Sequence, residues 1–292
     1  MTQQIVKISL LQHAASTYVN SNIDKVYSLI EKAADDGANI ICLQELCSTK
    51  YFCNRIDQAN FKLAIEIPGE LPVKFIELAK KYSVVIIIPI FEKEAPGIYY
   101  NSIAVIDADG SYLGKYRKTH IPDDPGFHEK YYFTPGDLGY KVFKTRYGNI
   151  GTLICWDQWF PEAARITAMK GADILVYPTA IGTLSDETED DKKKFINAWQ
   201  TIQCSHAIAN GCYVAGVNRV GIESGTSFWG RSFIADPFGE ILAEAGEGEE
   251  VLTQAVDFST IENQRQIWPF FRDRRVDTYQ SIGKKFLKNL ND

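Results

Sequence analysis

Residues 148–180 read GNIGTLICWDQWFPEAARITAMKGADILVYPTA, and this stretch decides the fold class. GNIGTLIC has the pattern of a buried strand, and ADILVYPTA has the pattern of a second one. Between them, PEAARITAMKG has the pattern of a helix, with Pro161 near its start, where proline is favoured. Strand, helix and strand in succession indicate a β-α-β unit and place the chain in the α/β class.

The rest of the chain repeats this alternation and adds hairpins. IVKISLLQ, NIICLQEL, VVIIIPIFEK and CYVAGVNRV are predicted strands, and VVIIIPIFEK is buried on both faces. PVKFIELAKKYS, the segment from about Asp191 to Asn210, and SNIDKVYSLIEKAADDG, capped by Ser21 or Asn22, are predicted helices. Turn residues at 107–110 and 236–239 predict two hairpins. This mixture favours a mixed sheet covered by helices, arranged as two sheets face to face.

Composition excludes several classes of protein. The 292 residues are 45% hydrophobic and 23% charged, which is typical of a soluble globular protein, and we expect one domain over 1–292. No apolar run approaches the roughly 20 residues of a membrane span. The beginning, MTQQIVKISLLQHAAS, predicts a first strand rather than a signal peptide. A net charge of -6 without a basic run argues against a nucleic-acid surface.

The six cysteines suggest free thiols. They form no C-x-x-C pair, and with four histidines in the chain a structural zinc site is not indicated. We therefore expect reduced thiols and a cytoplasmic location. Cys42, Cys204 and Cys212 are predicted to be buried structural thiols.

Three predicted strands end in residues capable of chemistry. Glu45 closes NIICLQEL, Lys118 follows Lys115 and Arg117 at the end of YLGKYRK, and Cys155 lies at the turn between strand and helix. Taken singly, each has an ordinary alternative, namely a surface acid, a solvated basic edge and a buried thiol. A strand-to-helix turn, however, can expose a side chain and offer free backbone N–H groups.

Together the three residues make one chemical hypothesis. A thiol with a reference pKa of about 8.5 needs help to attack at neutral pH. A carboxylate can take its proton, and an ammonium group can stabilise the thiolate and the oxyanion that follows. The long loop IPDDPGFHEKYYFTPGD, which contains Glu129, is also of the kind that often carries function.

The order of Glu45, Lys118 and Cys155, within QEL, YRKTHIP and CWDQWFPEAAR, resembles the nitrilase or carbon–nitrogen hydrolase superfamily. The resemblance extends from VKISLLQ to SFIADPFGEIL and implies a four-layer α-β-β-α sandwich of two mixed sheets. It implies Glu45 as general base, Lys118 as oxyanion-stabilising cation and Cys155 as acyl-forming nucleophile. Glu129 corresponds to a second glutamate that holds the lysine, and the Trp156 backbone N–H completes the oxyanion hole. A small-molecule substrate, a homo-oligomer, and no metal or organic cofactor are also implied.

Within that superfamily, RKTHIPDDPGFHEKYYFTPGD, ICWDQWFPEAAR and YPTAIG are most similar to N-carbamoylputrescine amidohydrolases. Gln158 and Trp159 stand where related hydrolases of N-carbamoyl D-amino acids carry basic residues that grip a carboxylate. Without those basic residues the pocket has room for the amine of a substrate, and Asp123, Asp124 or acids of SDETEDD are candidate partners for that amine. The SDETEDD run has an alternative interpretation as a solvated loop and helix start.

The resemblance implies hydrolysis of N-carbamoylputrescine to putrescine, carbon dioxide and ammonia through an S-carbamoyl enzyme, a step of polyamine biosynthesis. Two alternatives remain. One is an amidase of the same superfamily that acts on another N-carbamoyl compound or an ω-amide. The other is a binding or scaffold protein that retains the fold without activity; the complete set of Glu, Lys and Cys argues against it.

Overall fold

Two six-stranded sheets lie at the centre of the protein in a computed structural model that describes residues 4–288. The strands are β1 Ile5–Gln12, β2 Ile40–Leu43, β3 Val85–Ala95, β4 Ile98–Ile106, β5 Tyr112–Arg117, β6 Lys141–Thr145, β7 Gly148–Thr152, β8 Ile174–Pro178, β9 Gly182–Leu184, β10 Tyr213–Val217, β11 Val220–Glu223, β12 Thr226–Trp229, β13 Phe233–Ala235, β14 Ile241–Glu244 and β15 Glu250–Asp257. The helices are α1 Val19–Asp35, α2 Val73–Tyr82, α3 Glu129–Tyr132, α4 Pro161–Met169, α5 Glu189–Asn210 and α6 Thr260–Ile267.

The two sheets have matching topologies. The first has the order β15-β1-β2-β3-β4-β5, and the second has the order β14-β13-β10-β8-β7-β6. In each, three central strands run parallel (β1, β2 and β3; β10, β8 and β7), and the outer strands pair antiparallel. Both sheets are therefore mixed, as the alternation of helices and hairpins predicts.

Strand β3 shows why the sheets are covered on both sides. Val85 and Ile87 belong to an apolar cluster shared with β8 and β10 of the second sheet. Ile86 and Ile88 belong to a separate cluster with helices α1 and α2. Because successive side chains of a strand point to opposite faces, an unbroken apolar run requires cover on both.

Helices α4 and α5 complete the fourth layer. They contribute Ala163, Ala164 and Ala207 to the apolar cluster around the second sheet. The layers therefore follow the order α-β-β-α, which confirms the predicted sandwich. Among the described residues, no helix combines the length and the apolar character that crossing a membrane requires.

The predicted cap of the first helix is wrong. Helix α1 begins at Val19, with Tyr18 at the N-cap position, rather than after Ser21 or Asn22. The buried side chain of Asn22 instead accepts a hydrogen bond from the Ser16 backbone N–H (2.7 Å) and donates one to the Ser16 carbonyl (2.9 Å). Asn22 thus fastens the loop before the helix, a role that its position in the sequence does not reveal.

The two hairpin turns are confirmed, whereas CYVAGVNRV is not one strand. Gly110 and Gly239 donate their backbone N–H groups to Asp107 and Asp236, 2.9 Å away in both turns. CYVAGVNRV instead divides into β10 and β11, and β11 joins β12 and β9 in a small third sheet. This third sheet covers one end of the sandwich. Strands β9 and β12 contribute residues that line the active-site pocket described below.

Candidate active site

Three strand ends and one short helix bring four reactive side chains together. Glu45 follows β2, Lys118 follows β5, Cys155 follows β7, and Glu129 begins α3. All four side chains are buried. Lys118 Nζ lies 2.9 Å from Glu45 Oε1 and 2.6 Å from Glu129 Oε2. The first sheet thus supplies Glu45 and Lys118, while the second supplies Cys155.

Lys118 is held as a cation in spite of its burial. Burial alone would lower the pKa of its ammonium group, because water no longer stabilises the charge. The carboxylates of Glu129 and Glu45 outweigh that effect and raise the pKa of Lys118 well above its ordinary value. A permanent, dehydrated positive charge is therefore available beside the thiol.

Glu45 keeps one oxygen free for chemistry. Its Oε1 accepts hydrogen bonds from Lys118 Nζ and from Asn101 Nδ2, the latter at 2.7 Å. Its Oε2 is buried and has no hydrogen-bond partner among the described residues. A buried carboxylate oxygen without a donor is costly, and such exceptions in native structures often mark catalytic groups. This oxygen is suited to accept and return a proton.

Glu129 is fixed from two sides. Lys118 Nζ donates to its Oε2, and the Tyr51 hydroxyl donates to its Oε1 at 2.7 Å. Burial raises the pKa of Glu129 to about 7, although Lys118 and the Tyr51 hydroxyl both act to lower it. Glu129 therefore orients the lysine, and its charge changes close to neutral pH.

Cys155 occupies a strained turn between strand and helix. Its φ angle is +40°, in the left-handed region that side chains other than glycine seldom adopt. Residues Cys155–Trp159 form a 3₁₀ turn, and helix α4 follows at once. This geometry is typical of a displayed nucleophile, because strain of this kind persists where the surrounding structure holds it.

The thiol of Cys155 is protonated before reaction. Burial and the nearby Glu45 carboxylate raise its pKa well above the ordinary value, against the lowering effect of Lys118. Its Sγ lies 3.9 Å from the carbonyl oxygen of Ala180. A thiol in this state needs a base at the moment of attack, and Glu45 lies beside it in the same cluster.

A pocket of about 400 Å³ leads from solvent to Cys155. Its walls are mainly apolar and aromatic and include Pro122, Phe127, Trp156, Trp159, Ile181, Leu184, Phe195 and Trp229. Glu129 and Cys155 both line it, and Asp124 and Glu187 are its remaining acids. None of the described residues that line it is a lysine or an arginine. The pocket therefore suits an apolar chain with a cationic end rather than an anionic one.

The residues predicted to bind substrate fall into two groups. Trp156, Trp159 and Asp124 have places in the pocket wall. Gln158 also borders the pocket, but its Oε1 accepts a hydrogen bond from Trp199 Nε1 at 2.8 Å, so its amide is fastened to α5. Asp123 lies outside the pocket, exposed, with its Oδ1 3.8 Å from His128 Nδ1.

The acidic run SDETEDD is divided between two roles. Glu187 lines the pocket, and its Oε2 accepts the Leu184 backbone N–H at 2.6 Å. Thr188 caps helix α5 by accepting the Asp191 backbone N–H at 3.2 Å, while Asp191 accepts that of Thr188 at 3.1 Å. Most of the run is thus a solvated helix start, as the alternative interpretation predicted, and one acid faces the site.

Sequence reasoning missed the residues that hold the carboxylates. Asn101 supports Glu45, Tyr51 supports Glu129, and Trp229 closes the pocket from β12. Asn101 gave a readable signal, because it is a polar residue directly before the apolar run SIAVI, within what the structure shows to be strand β4. Tyr51 and Trp229 gave none, since their positions depend on how distant loops pack.

The other cysteines are separate from this chemistry. Cys42 and Cys212 are buried, as predicted, and burial raises the pKa of the Cys212 thiol to about 12. Cys204 is only half-buried, so the prediction of burial is only partly met there. Within residues 4–288, no three His, Cys, Asp or Glu side chains are grouped as metal ligands.

The chain is similar to several known proteins over nearly its whole length. A sequence model described as carbon-nitrogen hydrolase matches residues 7–266. The chain is 46% identical to an N-carbamoylputrescine amidase of Solanum lycopersicum, over 96% of this chain and 95% of that protein. It is 43% identical to a citrullinase of Francisella tularensis, over 96% and 99% respectively. The crystal structure of a carbon-nitrogen hydrolase from Helicobacter pylori G27 superimposes with a TM-score of 0.92 at 44% identity, covering 97% of this chain and 100% of that one.

Proposed function

The chain belongs to the carbon–nitrogen hydrolase family, and on that premise we propose that it hydrolyses N-carbamoylputrescine to putrescine, carbon dioxide and ammonia, a step of polyamine biosynthesis. The observation that carries the proposal is the pocket. Its lining combines Cys155 with apolar and aromatic side chains and with the carboxylates of Asp124 and Glu187, and it includes no lysine or arginine among the described residues. Four methylene groups and a terminal ammonium fit that combination of surfaces.

The first half of the reaction forms an acyl enzyme. Cys155 Sγ attacks the carbamoyl carbon while Glu45 Oε2 takes the thiol proton. Lys118 Nζ and the Trp156 backbone N–H stabilise the oxyanion of the tetrahedral intermediate. The bond between carbon and the terminal nitrogen then breaks, Glu45 returns its proton to that nitrogen, and ammonia leaves an S-carbamoyl group on Cys155.

The second half releases the amine. Glu45 takes a proton from water, the resulting hydroxide attacks the S-carbamoyl carbon, and the carbon–sulfur bond breaks. The thiolate of Cys155 recovers its proton from Glu45. The product is the carbamate of putrescine, which decays to putrescine and carbon dioxide without further help.

Two carboxylates are suited to the distal ammonium group. Glu187 is oriented by the Leu184 backbone N–H, and Asp124 approaches from the opposite loop. The two loops are in close contact, because a Cβ on Gly126 would lie 2.7 Å from Leu184 Cδ2. For an ammonium group between these loops, ion pairing with the carboxylates would offset the free energy lost when the group leaves water.

The test is ammonia release from matched substrates. Citrulline is N-carbamoylputrescine with one added α-carboxylate, so the pair isolates the effect of that charge. We expect kcat/KM for N-carbamoylputrescine to exceed kcat/KM for citrulline, N-carbamoyl-β-alanine and glutaramate. We expect Glu187→Gln to raise the KM for N-carbamoylputrescine about tenfold. A preference for citrulline would favour the activity that the Francisella relative is named for and would refute the substrate proposal.

The surface of the fourth layer supports a homo-oligomer, which we propose as the working form in the cytoplasm. Ile166 and Met169 of α4 and Ile208 of α5 are exposed, beside the exposed Phe270 and Tyr279. Apolar side chains grouped in this way on a surface are typical of an interface. Sedimentation velocity should show a dimer or larger species, and Ile166→Lys should shift the distribution toward monomer.

A further inference from the structure

Asp157, two residues after Cys155, is fully buried and joins its own turn to the segment that carries Lys118. Its Oδ2 accepts hydrogen bonds from the Tyr116 hydroxyl at 2.7 Å and from the Ile154 backbone N–H at 3.0 Å. Its Oδ1 accepts the His120 backbone N–H at 2.9 Å and lies 2.7 Å from His120 Nδ1. Four donors around one carboxylate satisfy both oxygens and hold the anion in place.

These contacts lie on either side of the two reactive residues. Tyr116 and His120 stand two residues before and two residues after Lys118, and Ile154 immediately precedes Cys155. Lys118 belongs to the first sheet and Cys155 to the second. Asp157 therefore fixes the lysine segment against the nucleophile turn across the gap between the two sheets, and it does so with directional hydrogen bonds, which apolar packing cannot supply.

The turn needs such a restraint. A residue other than glycine in the left-handed region, as Cys155 is, persists only where neighbouring contacts hold it. Asp157 closes this turn from both sides, since its own backbone N–H donates to the Ile154 carbonyl at 2.9 Å. A second contact reinforces it, because the His120 ring stacks on Phe160 with centroids 3.7 Å apart and planes 5° from parallel.

We propose that Asp157 is a positioning residue whose carboxylate holds the Lys118 ammonium and the Cys155 thiol in register across the two sheets. The proposal rests on the proposed roles of Lys118 and Cys155 in hydrolysis. A residue that only stabilised the fold would change the free energy of unfolding, whereas a positioning residue also changes the reactivity of the folded enzyme.

The decisive variant is Asp157→Asn. It keeps the shape but places an NH₂ group where a backbone N–H of Ile154 or His120 already points, so two donors oppose each other. We expect kcat to fall about 10²-fold, the loss typical of a small misplacement of reacting groups, with KM changed less than about threefold. KM should hold because the pocket walls carry the substrate and are not altered.

Alkylation of Cys155 by iodoacetamide, followed by mass spectrometry across pH, separates positioning from charge. Glu45, Lys118 and Glu129 are the charged groups that act on this thiol. Removal of the Asp157 anion by itself would make the thiolate easier to form and shift the alkylation profile to lower pH. Displacement of Lys118 withdraws a cation and shifts the profile to higher pH, which is the result we expect.

A matched control variant separates the expected changes in kcat and in the alkylation profile from general destabilisation of the fold. Asp173→Asn removes a carboxylate that accepts the Asn149 backbone N–H at 2.8 Å, at the far end of β7. We expect it to lower the urea midpoint while leaving kcat and the alkylation profile unchanged. The proposal is overturned if Asp157→Asn behaves as Asp173→Asn does.

If Asp157→Asn does not fold, Tyr116→Phe is the variant that tests the role of Asp157. It removes one of the four hydrogen bonds, and we expect about tenfold lower kcat with the same upward shift of the alkylation profile. Unchanged values in a folded Tyr116→Phe enzyme would also overturn the proposal. If the wild-type enzyme alkylates at Cys155 but does not hydrolyse N-carbamoylputrescine, the proposed function fails while the alkylation experiment still decides the role of Asp157.

Discussion

Arg117 and Lys118 are neighbours in the sequence, and each lies in its own cluster of buried charge. Lys118 contacts Glu45 and Glu129 between the two sheets. On the opposite face, Arg117 contacts Glu92, with Nε 3.0 Å from Oε2, and Asp137, with Nη1 2.8 Å from Oδ1. We call the first the Lys118 cluster (Glu45, Lys118, Glu129) and the second the Arg117 cluster (Glu92, Glu94, Lys115, Arg117, Asp137).

The clusters differ in how completely they are satisfied. In the Arg117 cluster, both oxygens of Glu92 have charged donors, and Glu94 and Asp137 reach solvent with side chains 45% and 55% exposed. In the Lys118 cluster all three side chains are buried, and Glu45 Oε2 is left without a partner among the described residues. A satisfied, partly solvated network stabilises a structure, whereas an unsatisfied one retains capacity for proton transfer.

The carboxylates show the same contrast. Burial opposes the charge of Glu92, but Arg117 and Lys115 outweigh it and lower the pKa of Glu92. Burial prevails at Glu129 and raises its pKa. Two buried glutamates beside cations are thus shifted in opposite directions, and strong shifts that burial produces in a pocket are typical of functional groups.

The largest effect should come from removing the general base. Glu45→Gln keeps the hydrogen bonds of Oε1 but cannot take a proton, so we expect kcat to fall about 10⁴-fold in steady-state ammonia release. The control is Glu92→Gln, a buried glutamate of the Arg117 cluster, which should lower the urea midpoint and spare kcat. Comparable losses of kcat in the two variants would remove the functional distinction between the clusters.

A smaller effect is expected from the neighbouring cations themselves. Lys118→Met removes the proposed oxyanion partner, and we expect kcat to fall about 10³-fold. Arg117→Met leaves Glu92 buried with fewer donors; we expect a loss of about 2 kcal/mol in the free energy of unfolding, below the usual range for buried pairs because the cluster reaches solvent. Measurements of kcat and of urea unfolding on both variants test whether Lys118 serves catalysis and Arg117 serves stability. An Arg117→Met enzyme that is inactive but as stable as the wild type would contradict this assignment.

The opposite pKa shifts predict that activity and fold respond to acid at different pH values. Activity should fall as pH decreases through about 7, because protonation of Glu129 removes one of the carboxylates that hold Lys118. The fold should persist, since a carboxyl whose pKa is raised on folding favours folding when protonated. The contribution of Glu92 is present above its unfolded pKa of about 4.3 and is lost only as pH falls through its lowered folded value.

The measurement is a pH profile of kcat beside circular dichroism and urea unfolding over the same range. Tyr51→Phe sharpens it, because the Tyr51 hydroxyl lowers the pKa of Glu129 and its loss should move the acid limb of kcat to higher pH. Simultaneous loss of activity and structure would show that the acid limb reports unfolding instead.

The contrast between the clusters also marks how far the sequence could lead. The sequence predicts which residues end the strands, because the period of apolar residues locates a strand end. The chemistry of a thiol nucleophile then indicates that a base and a cation should lie near it. Glu45, Lys118 and Cys155 became candidates in this way. Two sheets face to face followed from the alternation of strands, helices and hairpins, and the four-layer sandwich followed from the family resemblance; the structure confirms the sandwich.

Contacts between distant segments were not readable. Lys115 and Arg117 of β5 resembled a solvated basic edge, and no local pattern reveals that Glu92 of β3, two strands away in the sheet, contacts both of them. Asp157 lies inside the most informative motif of the chain, yet three of its four donors belong to Tyr116 and His120, in a segment that only the folded sheets bring beside it. Such pairings depend on register and packing, which single-sequence periodicity does not encode.

The smallest expected effect lies at the solvent edge of the Arg117 cluster. Asp137→Asn removes the negative charge of one exposed partner of Arg117, whose Nε and Nη2 remain bonded to Glu92. Exposed ion pairs contribute little, so we expect a loss of at most about 1 kcal/mol at low salt, and less at 1 M salt, where the Debye length is about 3 Å. Asn101→Ala at Glu45 is the matched change in the Lys118 cluster, and its effect on kcat should not depend on salt, because that carboxylate is fully buried and ions in solution do not screen it. Urea titrations and initial rates at both salt concentrations measure the pair, and a salt-sensitive Asn101→Ala would mean that the Lys118 cluster is more hydrated than its burial implies.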